Sequence, residues 1–495
     1  MNPLKRLAGQ TAIYGLSSIV GRLLNYLLVP MYTRVFLTNE FGVITEMYSY
    51  VAFLIVILTY GMETAYFRFN ENHKGTDTPI FSTVLFSILS TTTLFLIVGL
   101  IFKQPIAELL RYPDNPEYIV WFSIIIAMDA ISAIPFARLR AENKAVRFAS
   151  LKFINIGVNI GLNLFFILLC PWVIKTQSGS LAQFFEAIYD PRIGVGYVFI
   201  SNLVASGLTL VLLAPQMFRI KPTFSFPLWK QMLVYALPLL VAGLAGIINE
   251  TMDKLLLKFI LPEDIAMSQV GIYGACYKIS IMMTIFIQAF RFAAEPFFFA
   301  ESRKENAANL YSDVMNYFII ACSLIFVGIM LYIDVVKLFV GEEFREGLPV
   351  VPILLLANLF LGVFFNLSIW YKLSGQTRFG AYLAVIGALI TIVLNVWWIP
   401  LIGYMGSAWA TLICYFSMMV LSWYWGQKHY PIPYQHKKGI AFIVGAVGIY
   451  LISEIMPDMV SGYRLLVNSG LLVVYVLFIA WIERDVVKKI VRRIL

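Results

Sequence analysis

Arg22 and Asn25 sit one helical turn apart in SSIVGRLLNYLLVP, residues 17–30, an otherwise apolar stretch. A guanidinium keeps its charge in any protein environment and offers a planar fork of N–H donors that matches phosphate and carboxylate oxygens. At the centre of a membrane helix it costs about 2.5–3.5 kcal/mol even on a lenient insertion scale. The chemistry such a residue suggests is the holding of an anion. Tyr14, Ser18, Arg22 and Asn25 recur at i, i+4, i+8 and i+11, one face of a helix. Lys152, Asn155, Asn159 and Asn163 repeat the pattern further on, and Glu46, Asp129, Asn249, Glu250, Asp253, Lys254, Lys278 and Gln288 punctuate other apolar runs. Lipid satisfies none of these groups, so they should face a bundle interior or a water-filled cavity. Simpler roles are also open. Asn163 and Asn395 suit hydrogen bonds between helices, Glu250 and Lys254 suit an i, i+4 ion pair, and Asp129 suits a bridge to a neighbour.

The elements that must carry these residues are membrane helices. The chain has 495 residues, is 60% hydrophobic and 13% charged, and has a mean hydropathy of +0.80. Soluble domains are about 45–50% apolar and about 25% charged. Fourteen apolar runs are long enough to cross about 30 Å of hydrocarbon: 9–36, 43–66, 79–102, 117–137, 148–172, 194–215, 231–260, 269–293, 313–334, 348–371, 379–400, 402–425, 438–456 and 465–482. Alternate loops gather the Lys and Arg residues, from Lys5 and Arg6 through Arg138, Arg140, Lys144 and Arg147 to the tail with Arg492 and Arg493. By the positive-inside rule these loops and both termini face the cytoplasm. The net charge of +9 is spread over such short loops, so no nucleic-acid partner is expected.

An internal repeat divides the chain. FGVITEMYSYVAF answers VGIYGACYKISIM, pairing Gly42 with Gly271, and RLRAENKAVRF answers YKLSGQTRFGA. A constant offset then pairs Arg140 with Lys372 and Asn163 with Asn395. The expected organisation is an N-terminal six-helix lobe (1–218), a cytoplasmic linker (219–230), a second six-helix lobe (231–426), and two extra helices with a basic tail (427–495). Six is even, so the copies run parallel, with a central cavity between them. No GxxxxGK[ST] phosphate loop and no HExxH occurs. Cys170, Cys276, Cys322 and Cys414 form no metal-like pair, and no metal, cofactor or catalytic residue is expected.

In this order, the motifs GRLLNYLLVPMYTRVFLTNEFGVI, RLRAENK and IGYMGSAWATLI resemble the polysaccharide-flippase branch of the multidrug/oligosaccharidyl-lipid/polysaccharide exporter superfamily. The likeness covers nearly the whole chain. It implies an all-α integral membrane protein of the bacterial inner membrane that moves undecaprenyl-pyrophosphate-linked oligosaccharide to the periplasmic leaflet by alternating access. A polysaccharide polymerase and glycosyltransferases are the partners it implies besides the lipid bilayer. The related lipid II flippases line their cavity with arginines from the first, second and eighth helices. Arg22 matches the first and Lys278 the eighth, while the second offers Ser49 or Glu46 and no base. On this reading Arg22, Lys278 and Lys254 hold the pyrophosphate, and Asn25, Asn155 and Asn159 contact sugar hydroxyls. Glu46 or Asp253 would bind H+ or Na+ as a coupling ion. The alternatives are a lipid II flippase, a small-cation drug exporter, which should place carboxylates at the cavity centre, and a membrane glycosyltransferase or polymerase, which should show a larger exposed catalytic loop.

Overall fold

The structure, a computed structural model, describes residues 15, 17, 19–72, 78–218, 222–302, 304–456, 461–485 and 488. Tyr14 and Ser18 of the expected polar stripe lie outside the described residues. Two compact units are present, Met1–Gly274 and Ala275–Leu495, and among the described residues all regular structure is helical.

The first unit holds a helical run over residues 19–26 (α1), then α2 (Val29–Val35), α3 (Thr38–Thr59), α4 (Met62–Asn72), α5 (Ile80–Ile101), α6 (Lys103–Leu109), α7 (Pro116–Ala141), α8 (Ala145–Leu164), α9 (Cys170–Thr176), α10 (Ser180–Ile188), α11 (Gly196–Phe218) and α12 (Phe226–Ile260). The long α13 (Glu263–Glu301) begins there and ends in the second unit. That unit continues with α14 (Ala307–Leu331), α15 (Ile333–Val336), α16 (Val350–Leu367), α17 (Ile369–Leu373), α18 (Arg378–Ile402), α19 (Tyr404–His429), α20 (His436–Ile455) and α21 (Ser461–Ile482). Among the described residues, 13 helical stretches are long and apolar enough to span a membrane. They correspond to the expected spans after the first. The first, 9–36, lies partly outside the described residues and is interrupted by a turn at Leu27 and Leu28.

Local chemistry sets the breaks. At the start of α3 the Glu40 carboxylate accepts the Leu37 N–H at 2.9 Å, satisfying one of the donors a helix end leaves orphaned. Tyr60 and Gly61, at φ of 30° and 75°, bend the chain between α3 and α4. A Cβ on Gly61 would lie 2.8 Å from the Ala236 carbonyl oxygen, so α12 closes against the bend. Between α8 and α9 a π-turn at Phe165–Leu169 precedes Pro171, which has no N–H to give the ladder. In the first unit α7 is central, packed by α3, α5, α6 and α11; in the second, α16 and α18 flank α19, and α20 and α21 lie on α14. That last pair is pinned by Glu483, which accepts from Asn316 Nδ2 at 2.8 Å and Lys438 Nζ at 2.9 Å.

The repeat is visible as duplicated contacts. Arg140 pairs with Glu63 and Lys372 with Glu295, and each pair is separated by 77 residues. Asn163 and Asn395, both fully buried, each donate to the carbonyl four residues back, of Asn159 and of Thr391. The repeat-matched glycines meet. A Cβ on Gly42 would fall 2.1 Å from the Met267 carbonyl oxygen, and one on Gly271 would fall 1.8 Å from that of Thr38. Here α3 and α13 cross backbone to backbone, and Thr38 and Ser268 share a 2.8 Å hydroxyl hydrogen bond beside the crossing. The duplicated ion pairs are partly exposed, so double-mutant cycles with Glu63→Gln/Arg140→Met and Glu295→Gln/Lys372→Met should each give a coupling of about 0.2–1 kcal/mol in thermal unfolding. Coupling in one unit and none in the other would mean that the repeat preserves sequence without the interaction.

Candidate functional site

The polar face of the first unit is assembled by α1 and α8. Gly21 makes this possible: a Cβ there would sit 2.6 Å from Ile156 Cδ1, so the glycine lets α1 approach α8. Across this contact Asn159 Nδ2 donates to Asn25 Oδ1 at 3.3 Å. Below it, Asn163 Nδ2 donates to the Asn159 carbonyl at 2.7 Å and to its Oδ1 at 3.1 Å, and Tyr32 donates to Asn163 Oδ1 at 2.8 Å. Asn155 Nδ2 donates to Thr209 Oγ1 on α11 at 3.0 Å. The amides thus run from a buried, fully engaged end at Asn163 to an exposed end at Asn25.

Arg22, one turn before Asn25, is exposed, and among the described residues its guanidinium has no hydrogen-bond or ion-pair partner. Three other cations of the first unit's spans, Lys152, Lys254 and Lys258, are engaged. Lys152 is half-buried with its ammonium 4.4 Å from the Phe136 ring centre, in the field of Asp129. Asp129 in turn stands beside Ser206 on α11. Lys254 Nζ lies 3.0 Å from Asp253 Oδ1 and donates to the Glu250 carbonyl at 2.9 Å, while Tyr273 donates to Asp253 Oδ2 at 2.7 Å. Lys258 Nζ lies 2.8 Å from Glu46 Oε2, donates to the Leu110 carbonyl at 2.6 Å and stands 3.7 Å from the centre of the Tyr112 ring. The Tyr112 hydroxyl also donates to Glu46. Burial first, and then the Glu46 carboxylate, push the Tyr112 phenol well above its ordinary pKa, so it stays a donor. Arg111 extends the cluster, giving a hydrogen bond to the Lys258 carbonyl and a 3.1 Å ion pair to Glu263.

Arg22, Asn25, Asn155 and Asn159 therefore share the α1/α8 region. Asp253 and Lys254 are each other's partners on α12, and Glu46 is bound to Lys258. Lys278 is half-buried on the part of α13 that belongs to the second unit. Sequence reasoning did not single out Lys258, Tyr112, Tyr273 or Thr209. Lys258 carried a signal: it follows Lys254 by four residues, and two cations at one end of an apolar helix need two anions, which Glu46 and Asp253 supply. A concavity of about 410 Å³ in this unit is lined by Phe36, Phe166, Trp172, Lys175, Tyr189 and Tyr197.

Among the described residues, α1 thus carries an arginine whose charge has no carboxylate beside it. The family comparison is decisive: residues 7–300 match the model for "Polysaccharide biosynthesis protein". The chain belongs to that family. Solved structures agree at the level of fold. A lipid II flippase, MurJ, in an inward closed conformation superposes with a TM-score of 0.75 at 14% identity, covering 96% of this chain and 99% of that one. An inward-facing multidrug resistance MATE family transporter of the MOP superfamily gives 0.61 at 15% identity, covering 85% and 97%. A MATE protein in complex with MaD3S gives 0.54 at 14% identity, covering 86% and 98%. No curated protein matches the chain. The fold is thus the one shared by flippases and transporters of the MOP superfamily, as the motifs implied.

Proposed function

We propose that this protein carries an undecaprenyl-pyrophosphate-linked oligosaccharide, a repeat unit of O-antigen, capsule or exopolysaccharide, from the cytoplasmic to the periplasmic leaflet by alternating access. The observation that carries this reading is Arg22 on α1, whose charge has no partner among the described residues, while Lys254 and Lys258 of the same unit are neutralised by carboxylates. A pyrophosphate diester offers that charge its missing anion through charge-assisted hydrogen bonds. Asn25, Asn159 and Asn155 supply amide donors and acceptors for hydroxyls, and amide contacts are exchangeable enough to let the sugars go. Lys254 reaches an anion only by leaving Asp253. A coupling ion, H+ or Na+, would have to displace a lysine at Glu46 or Asp253, which suits a switch better than a standing site.

A membrane potential negative inside drives an anion outward. A head with two negative charges gains about 4.6 kcal/mol per 100 mV, so no coupling ion is required for direction. The test is transport in proteoliposomes with the potential clamped by a potassium gradient and valinomycin at constant pH on both sides. Flipping should quicken as the compartment equivalent to the cytoplasm becomes more negative. Folded protein that moves the lipid-linked glycan at one rate at every potential would overturn the electrophoretic mechanism. Folded protein that exports a lipophilic cation and leaves the glycan in place would overturn the substrate assignment in favour of a drug exporter.

A further inference from the structure

The connection between α9 and α11 contains α10, Ser180–Ile188. The helix is two-faced. Leu181, Phe184 and Ile188, at i, i+3 and i+7, are 50%, 60% and 42% exposed. Gln183 and Glu186 stand on the opposite side, and Ala182 packs inward. Three large apolar side chains on one exposed face need a cover.

Continuity says what the cover is. Leu164, Leu168, Leu169 and Trp172 on the span that leads into α10 are all more than 40% exposed, as the lipid-facing side of a membrane helix must be. α10 packs on α9, which sets it beside the end of the span where Trp172 and Lys175 stand. Trp and Lys at a span end mark the lipid–water interface, where the ring sits among headgroups and the ammonium reaches water. The α10 helix is tied to the span by Phe185, whose ring lies 5.8 Å from that of Phe165 in the π-turn.

We propose that α10 is an interfacial helix whose Leu181–Phe184–Ile188 face is buried among lipid headgroups and upper acyl chains of the leaflet opposite the basic loops, its partner being the bilayer itself. The proposal rests on the membrane reading of the fold and is independent of the cargo. It places the aromatic concavity lined by Trp172, Tyr189 and Tyr197 at lipid depth, so that entry to it is lateral.

The native cysteines Cys170, Cys276, Cys322 and Cys414 are all buried, which leaves single introduced cysteines open to selective nitroxide labelling. Full-length Phe184→Cys, Leu181→Cys and Gln183→Cys would be labelled in phosphatidylglycerol/phosphatidylethanolamine liposomes. Collision with oxygen, enriched in lipid, would be compared with collision with a water-soluble nickel chelate. Labels at 181 and 184 should favour oxygen several-fold, and the label at 183 should favour nickel. Nickel access at 184 equal to that at 183 would place the helix in water and overturn the proposal. Protection of 181 and 184 from both reagents would show a protein cover instead, and overturns it equally. Transport activity of the same labelled proteins reports on the function separately, so loss of that reading leaves this one standing.

Discussion

Lys258→Met is expected to destabilise the folded protein by about 3–5 kcal/mol, the usual cost of stranding one partner of a buried ion pair. The Lys258 and Glu46 side chains are 2% and 0% exposed, so no water takes over when the ammonium is removed. Glu46 Oε1 already lacks a hydrogen-bond partner. The carboxylate would then face only the Tyr112 and Tyr50 phenols, with no cation, and the Leu110 carbonyl would lose its donor. The double variant Glu46→Gln/Lys258→Met removes both charges and should recover most of the loss, because an apolar or neutral replacement of a buried pair is often close to neutral. Thermal unfolding in detergent micelles is the readout. A single variant as stable as the wild type would show that the pair does not hold α3, α12 and the segment after α6 together.

The glycine crossing comes second in size. Gly271→Ala places a Cβ 1.8 Å from the Thr38 carbonyl oxygen, and Gly42→Ala places one 2.1 Å from that of Met267. Both obstacles are backbone, so α3 and α13 must move apart. Overpacking of this kind costs about 1–3 kcal/mol or more, and the Thr38–Ser268 hydrogen bond would go with it. The control is Gly246→Ala on α12, where a Cβ would meet nothing within 4 Å. That change should stabilise by about 0.5–1 kcal/mol, since glycine in a helix interior is worse than alanine by that amount. Opposite signs at 271 and 246 are the expected result in paired melting curves. Equal, small effects at both would mean that the helices do not touch at the repeat-matched glycines.

Much of the architecture was legible because membrane helices announce themselves by length and composition. The offset that matches Arg140 with Lys372 and Asn163 with Asn395 also identified positions that do the same job in each half. The partners were not legible. Glu63 and Glu295 stand at that same offset, but their reach to Arg140 and Lys372 depends on where each helix bends, as at Tyr60 and Gly61. Glu46 and Lys258 are 212 residues apart, and nothing in the spacing of either says that they meet. Gly42 and Gly271 could be aligned as equivalents; that equivalents also touch needed coordinates. The polar stripes on α1 and α8 were legible from helical periodicity, and their joining through Asn25 and Asn159 was not, because it turns on the small size of Gly21. The sorting of cations into neutralised and free is likewise a property of the fold.

The central claim is that the free charge of Arg22 holds the anionic head of the cargo. It is tested most directly by leaflet-resolved transport of an undecaprenyl-pyrophosphate-linked oligosaccharide in proteoliposomes, comparing wild type, Arg22→Lys and Arg22→Ala at matched melting temperature. Loss of a charged hydrogen bond worth about 1.5–3 kcal/mol predicts that the alanine variant slows roughly tenfold to a hundredfold. The lysine variant, which keeps the charge and loses the planar fork, should fall between them. An alanine variant that folds and flips the lipid at the wild-type rate would contradict the account and return Arg22 to a purely structural role.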